Sequence, residues 1–179
     1  ALEKVQPVDL TASEISVRLG ATWLNPEYIR QFIFETLDTS RRARWDIKVH
    51  YSRITGEWRI EGKSKDSYNV KAYSTYGTSR ASAYDIIESS LNLKDVRIFD
   101  YQYDPDGRRV AVLNKKETAI AQGKQELLKE AFSEWIWKDP ARRERLCKLY
   151  NERFNSIRPR EFDGSHIKFF GMNPEITLR

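Results

Sequence analysis

The 179-residue chain has one cysteine, Cys147, so no intramolecular disulfide can form, and nothing points to an oxidising compartment. Its two histidines, His50 and His166, lie far apart and show no zinc-ligand spacing with that cysteine. No run of 18 apolar residues is present, which excludes a membrane-spanning helix of ordinary length. No signal peptide is visible at the start, and the expected compartment is the cytoplasm. The eight glycines never cluster into a phosphate-cradling loop. Gly62-Lys63-Ser64 has the end of such a loop, but its first glycine must stand where Glu57 is, and Gly56 misses by one residue. No cofactor or metal is expected.

Charge and aromatic side chains are plentiful. Charged residues make up 32% and the aromatics number 5 Trp, 9 Tyr and 8 Phe, a folded chain's composition with a strongly charged surface. The net charge of +5 is modest, but its distribution is uneven. Residues 41–80 hold ten basic and four acidic side chains, and residues 138–160 hold eight and three. The two segments carry +11 between them and the remainder −6. Concentrated positive charge attracts a polyanion. The candidate DNA-binding residues are therefore Arg41, Arg42, Arg44, Lys48, Arg53, Arg59, Lys63 and Lys65, with Arg142, Arg143 and Arg145. Trp45, Tyr51 and Trp58 interleave with the first group, as stacking aromatics do on nucleic-acid surfaces. The competing reading puts both tryptophans in the core, because Trp45, Ile47, Val49 and Tyr51 alternate onto one side. For Arg142-Arg143-Glu144-Arg145 a solvated helix face is the default reading.

Periodicity and turn chemistry predict an α+β fold: two antiparallel β-hairpins with about five helices, the C-terminal part helical. Thr11 and Glu14 have capping-box spacing, and Ile15 and Leu19 follow one turn apart, so a helix is expected before Gly20. Asn25-Pro26 opens a second helix with Tyr28, Ile29, Phe32, Ile33 and Leu37 on one stripe. That bland reading outweighs the likeness of Asn25-Pro26-Glu27-Tyr28 to the Asn-Pro-Pro-Tyr signature of adenine methyltransferases. The first hairpin is expected from Trp45 to Tyr51 and back through Trp58 and Ile60, around Thr55-Gly56. Residues 62–76 are expected as an ordered loop or irregular edge strand. A helix over 78–91 uses Ala81, Tyr84, Ile87 and Leu91. The second hairpin pairs Val96, Ile98 and Asp100 with Val110 and Val112 around Asp104-Pro105-Asp106-Gly107. Asn114 and Glu117 open a long helix with Ile120, Leu127, Leu128, Phe132 and Trp135. Asp139-Pro140 opens the last helix, its stripe Leu146, Leu149, Tyr150, Arg153 and Phe154. Trp135 and Trp137 cannot both face inward on one helix. Cys147 is expected half-buried and inert, His50 solvent-facing, and His166 a turn residue. A single domain over 1–179 is expected, with a possible division into an α/β part, 1–113, and a helical arm, 114–179.

Several of these residues together resemble a known family. They are Arg18-Leu19-Gly20-Ala21-Thr22-Trp23, Thr75-Tyr76-Gly77-Thr78, Ser90-Leu91-Asn92, Glu117-Thr118, Trp135, Arg143, Leu146 and Tyr150-Asn151 through Phe154-Asn155. Asp163-Gly164-Ser165-His166 and Gly171-Met172 continue the series. In this order they resemble the region upstream of the Swi/Snf-type helicase core in large helicase–methyltransferase proteins. Those proteins are carried by phages and mobile elements and are related to phage antirestriction proteins. The resemblance implies a piece of a longer polypeptide, with Ile176-Thr177-Leu178-Arg179 leading towards the helicase's adenine-recognising motif. It implies an accessory domain, not an enzyme in its own right, whose partners are DNA and other domains of the same polypeptide.

Three expectations follow. The first is a non-catalytic domain that binds or guides DNA through its basic surface. The second is a docking module between methylase and helicase parts that touches no DNA, motivated by Trp135, Trp137 and Tyr150. The third, a metal-dependent nuclease using Asp95, Asp100 and Asp104, is the weakest, because carboxylates in a hairpin are usually solvated turn residues.

Overall fold

The computed structural model describes residues 7–156. Arg158, Arg160, His166 and the 174–179 run lie outside the described residues. The fold is α+β. In chain order it runs α1 (Pro26–Thr36), α2 (Ala43–Asp46), β1 (Lys48–Tyr51), β2 (Trp58–Glu61), a 3-10 turn (Lys63–Asp66) and a one-turn π-helix (Lys71–Thr75). Then come α3 (Ala83–Leu91), β3 (Phe99–Tyr103), β4 (Arg109–Leu113), α4 (Lys115–Lys138) and α5 (Pro140–Phe154). The strands form two separate antiparallel hairpins, β1–β2 and β3–β4. Among the described residues no helix is long and apolar enough to cross a membrane.

The helices begin where side chains satisfy the free N–H groups of the first turn. The Asn25 carboxamide oxygen accepts from Glu27 N–H at 2.9 Å, with Pro26 in the first turn. Ser82, Asn114 and Asp139 cap α3, α4 and α5 in the same way. One hydrophobic core gathers Ile29, Phe32, Ile33 and Leu37 from the α1 side, Tyr84, Ile87 and Leu91 from α3, and Leu128, Phe132 and Ile136 from α4. The Phe32 ring stands edge-on to Phe132 at 5.1 Å and to Trp135 at 5.5 Å. Each such side chain contributes about 1.5–3 kcal/mol through removal from water. Residues 115–138 therefore share the core of the α/β part that precedes them.

Four local expectations are revised. Thr11 and Glu14 do form capping bonds, with Thr11 N–H to the Glu14 carboxylate at 2.8 Å, but the turn stops there. Ile15, Val17 and Leu19 are buried alternately, the period of extended chain. Trp45 belongs to the single turn of α2, not to β1, and is 84% exposed, whereas Trp58 is 3% exposed. On α4 the buried face is Thr118, Ala121, Gln125, Leu128, Phe132, Trp135 and Ile136, while Ile120 and Leu127 are exposed. Two polar residues replace aliphatic ones there because they hold the chain leading into β3. Thr118 Oγ1 accepts from Ile98 N–H at 3.0 Å, and Gln125 Oε1 accepts from Val96 N–H at 3.2 Å. On α5 the inward side is Arg142, Leu146 and Asn151, with Leu149, Arg153 and Phe154 exposed. Asn151 faces inward because its carboxamide grips the backbone of Leu10 at both N–H (2.8 Å) and C=O (2.9 Å).

Candidate nucleic-acid interface

The segment carrying most of the candidate cations is shaped by a buried carboxylate. Asp66 accepts hydrogen bonds from Tyr84 Oη (2.7 Å), Asn69 Nδ2 (2.6 Å) and Ser40 Oγ (3.2 Å). Thr39 Oγ1 lies 3.2 Å from the same tyrosine oxygen, and Asn69 Nδ2 also reaches the Leu37 carbonyl at 2.9 Å. Burial pushes the Tyr84 hydroxyl far above its ordinary pKa, so it remains a donor. This network ties the 39–42 loop to the 3-10 turn and sets Lys65 beside α2. Gly62 supplies the tight entry: its φ is +76°, and a Cβ there would run into the Asp46 carbonyl. Residues 62–76 are thus compact helical turns, not an edge strand.

Arg41, Arg42, Arg44, Trp45 and Lys48 are all exposed along α2 and the start of β1. The hairpin register puts Lys48 opposite Glu61 and His50 opposite Arg59 on the outward face, while Val49, Ile60 and Trp58 turn to the core. Arg53 is exposed in the connecting turn, and Lys65 in the neighbouring 3-10 turn. Arg44 is the best anchored: its Nε donates to the Thr39 carbonyl at 2.8 Å, and its guanidinium lies 5.4 Å from the Phe34 ring centre. Arg30, not singled out by the sequence, lies 5.0 Å from the other arginine's ring partner, Phe34, and bonds Glu27. Among the described residues, Arg41, Arg42, Arg44, Lys48, Arg53, Arg59 and Lys65 form no ion pair within 4.0 Å.

Two candidates are committed elsewhere and leave the surface set. Lys63 Nζ is held by Asp85 (2.8 Å) and Glu88 (2.9 Å) of α3. Burial alone would lower the Lys63 pKa, but its bonds to these carboxylates outweigh that and raise it. Burial likewise pushes Asp85 up, and the bonds from Lys63 and Ser82 overcome it and hold the carboxyl below its ordinary value. Arg142 is 7% exposed, with Nε on the Ile136 carbonyl at 3.0 Å, Nη2 on the Trp135 carbonyl, and its guanidinium 3.6 Å from the Trp135 ring centre. It closes the C-terminal end of α4, where a cation complements both free carbonyls and dipole. Neither role has a local sequence signal, because every partner of Lys63 comes from α3 and those of Arg142 from the preceding helix.

Arg143 and Arg145 are exposed on α5, with Arg145 Nε bonded to the Ala141 carbonyl at 3.2 Å. The two basic segments rest on different supports. Hairpin β1–β2 packs on α1 and α3, and α5 packs on α4. Among the described residues no hydrogen bond or ion pair joins residues 41–80 to residues 138–156.

The other candidate chemistries resolve into structural roles. Asp100 is bound by Arg80 and by Asn114 Nδ2 (2.7 Å), and the bond from Arg80 does most to depress its carboxyl pKa. Asp104 accepts from Arg108 N–H at 2.7 Å and shapes the hairpin turn. Among the described residues no group of three or more His, Cys, Asp or Glu stands close enough to hold a metal ion. His50 is exposed, 3.6 Å from Glu61. Cys147 is half-buried, and burial pushes its thiol pKa up, away from thiolate chemistry. Trp135 is buried with its indole N–H on Glu35 at 2.6 Å, and Trp137 and Tyr150 pack against the core. Their apolar surface is largely used internally. Exposed aromatic rings lie on β3–β4, at Phe99, Tyr101 and Tyr103, and elsewhere at Trp45, Tyr68 and Phe154.

The class defined by this arrangement is an α+β domain with one core, a cationic outer hairpin and a second, free-standing hairpin. The chain belongs to the family described as Domain of unknown function (DUF8437), whose model matches residues 18–156. No curated protein and no solved structure matches the chain.

Proposed function

We propose that this domain binds DNA along its phosphate backbone, through the outward side of α2 and hairpin β1–β2. Arg41, Arg42, Arg44, Lys48, Arg59 and Lys65 contact phosphates, Arg53 extends the track at the turn, and Trp45 packs against sugar or an exposed base. One observation carries the reading: an 84% exposed tryptophan stands in a run of exposed cations that, among the described residues, form no ion pair within 4.0 Å. Exposing an indole costs apolar burial, and stacking or packing against nucleic acid would recover it. Lysines and arginines on an exposed face read charge rather than base edges, so binding is sequence-tolerant. In a longer polypeptide of the kind the sequence resembles, such a domain guides DNA for the adjoining helicase. The reading assigns no catalysis to these residues.

Fluorescence polarisation with a labelled short duplex tests it. Six phosphate contacts give a log–log salt slope of about −5, and replacing Arg41, Arg42, Lys48 and Arg59 by Gln brings it to about −2. Trp45→Ala weakens binding with the slope unchanged. Arg143→Gln with Arg145→Gln leaves both quantities as they were. Absence of binding at tens of micromolar protein in low salt would refute the proposal.

A further inference from the structure

The β3–β4 ribbon presents groups that the fold leaves unused. Among the described residues its strands pack on each other and on no other element to a comparable extent. Phe99, Tyr101, Tyr103, Arg109, Ala111 and Leu113 share one face, and the Arg109 guanidinium lies 3.7 Å from the Tyr101 ring centre. Every residue of β4 is exposed. The bonds from Asp104 N–H to Arg108 O and from Asn114 N–H to Ile98 O set the phase of the ladder. Internal bonds then fall at the Asp100–Val112 and Gln102–Val110 pairs, and the N–H and C=O groups of Arg109, Ala111 and Leu113 point away from β3. Among the described residues nothing bonds to them. The opposite edge is partly closed, because Arg80 Nη2 donates to the Phe99 carbonyl at 2.7 Å.

We propose that β4 pairs antiparallel with β4 of a second copy of this chain across a two-fold axis at Ala111, making a four-stranded sheet. An open row of backbone donors and acceptors is matched group for group by another polypeptide strand. The register centred on Ala111 sets Val110 opposite the second copy's Val112, and Arg109 opposite its Leu113, so no like charges meet. It also brings the tip bearing Asp104 and Asp106 alongside Lys115 and Lys116 at the start of the other copy's α4. The methyl of Ala111 lets the backbones approach at the axis. The aromatic faces of both ribbons become one continuous surface, and a ribbon that is marginal as two strands gains the extra strands a stable sheet needs.

Sedimentation equilibrium of the full chain, taken to hundreds of micromolar, tests this. The expected result is a mass that doubles with concentration. Ala111→Pro removes an N–H that the internal ladder does not use, and the chain is then monomeric where the wild type is dimeric. Val110→Lys with Val112→Lys places lysines opposite lysines across the axis and does the same, which decides the matter if the proline variant fails to fold. The Gln variants of hairpin β1–β2 keep the dimer mass, so the outcome is separate from DNA binding. A wild type that stays monomeric throughout, or a folded lysine variant that still dimerises like the wild type, overturns the proposal. So does a monomer whose ribbon captures a single-stranded oligonucleotide, which assigns the aromatic face to stacking.

Discussion

Hairpins β1–β2 and β3–β4 share connectivity and nearly share length, yet their surroundings differ at every level. The first lays Val49, Trp58 and Ile60 on the core, with the Tyr51 and Trp58 rings 4.8 Å apart. Its outer edge is closed by side chains of α3 and of Asn92, the residue that ends that helix. The Asn92 carboxamide takes both N–H and C=O of Trp58 at 2.9 Å, and the Glu88 carboxylate takes Ile60 N–H at 2.6 Å. Among the described residues the second is anchored at its root, where α4 side chains hold Val96 and Ile98 and Arg80 and Asn114 hold Phe99 and Asp100, and from Tyr101 onward both faces meet solvent. Two strands are marginal by themselves, so what covers the face and the edge decides whether a hairpin is framework or outreach.

The largest test of that contrast is a matched pair of truncations. Trp58→Ala should cost about 3–5 kcal/mol in denaturant unfolding, as large core truncations do. Tyr101→Ala should stay within about 0.5 kcal/mol under dilute conditions where the chain is monomeric. Equal losses would break the comparison. A second pair concerns glycines with nearly equal φ. Gly107→Ala meets only the left-handed penalty of about 1–2 kcal/mol, since open space surrounds it, whereas Gly62→Ala adds a clash with the Asp46 carbonyl and must cost more.

Edge closure is sharpened by Asn92→Ala, which strands two backbone groups of Trp58. The expected loss is about 1–3 kcal/mol, with faster hydrogen exchange at the Trp58 amide. The smallest effect is pH-dependent. The folded pKa of Asp85 lies below its ordinary 3.8, so its contribution is present above that value and fades as pH falls through the depressed one. The folded pKa of Lys63 lies above its ordinary 10.5, so its contribution is present below that value and fades as pH rises through the raised one. The stability gap between wild type and Lys63→Met should therefore be constant at neutral pH and narrow at both extremes. A gap independent of pH would show that the pair contributes packing alone.

Much of the local structure was legible because its causes are local. Asn25-Pro26, Asn114 with Glu117, and Asp139-Pro140 start helices through bonds spanning three residues or fewer. Thr55-Gly56 and Asp104 through Gly107 place both turns. Trp45 was misread because apolar alternation runs unbroken through it, while the Asp66 network and the Gly62 contact bend the chain into a turn of helix first. The polar residues of the α4 face were missed because Thr118 and Gln125 earn burial only from strand backbone 20 and 29 residues away. At the candidate interface, the cationic run of α2 and β1 was visible in charge spacing. That Lys63 of the 3-10 turn and Arg142 of α5 are withdrawn from the candidate set was not, since their partners are chosen by packing.

Composition, capping and turn residues in the chain alone determined the α+β class, the two hairpins and the positions of the principal helices. Tertiary structure alone decided which hairpin is buried, which tryptophan reaches solvent, and which cations remain free. The physical reason is range. A cap or turn is settled by bonds within a few residues, whereas burial and charge pairing depend on which distant surfaces the core brings together.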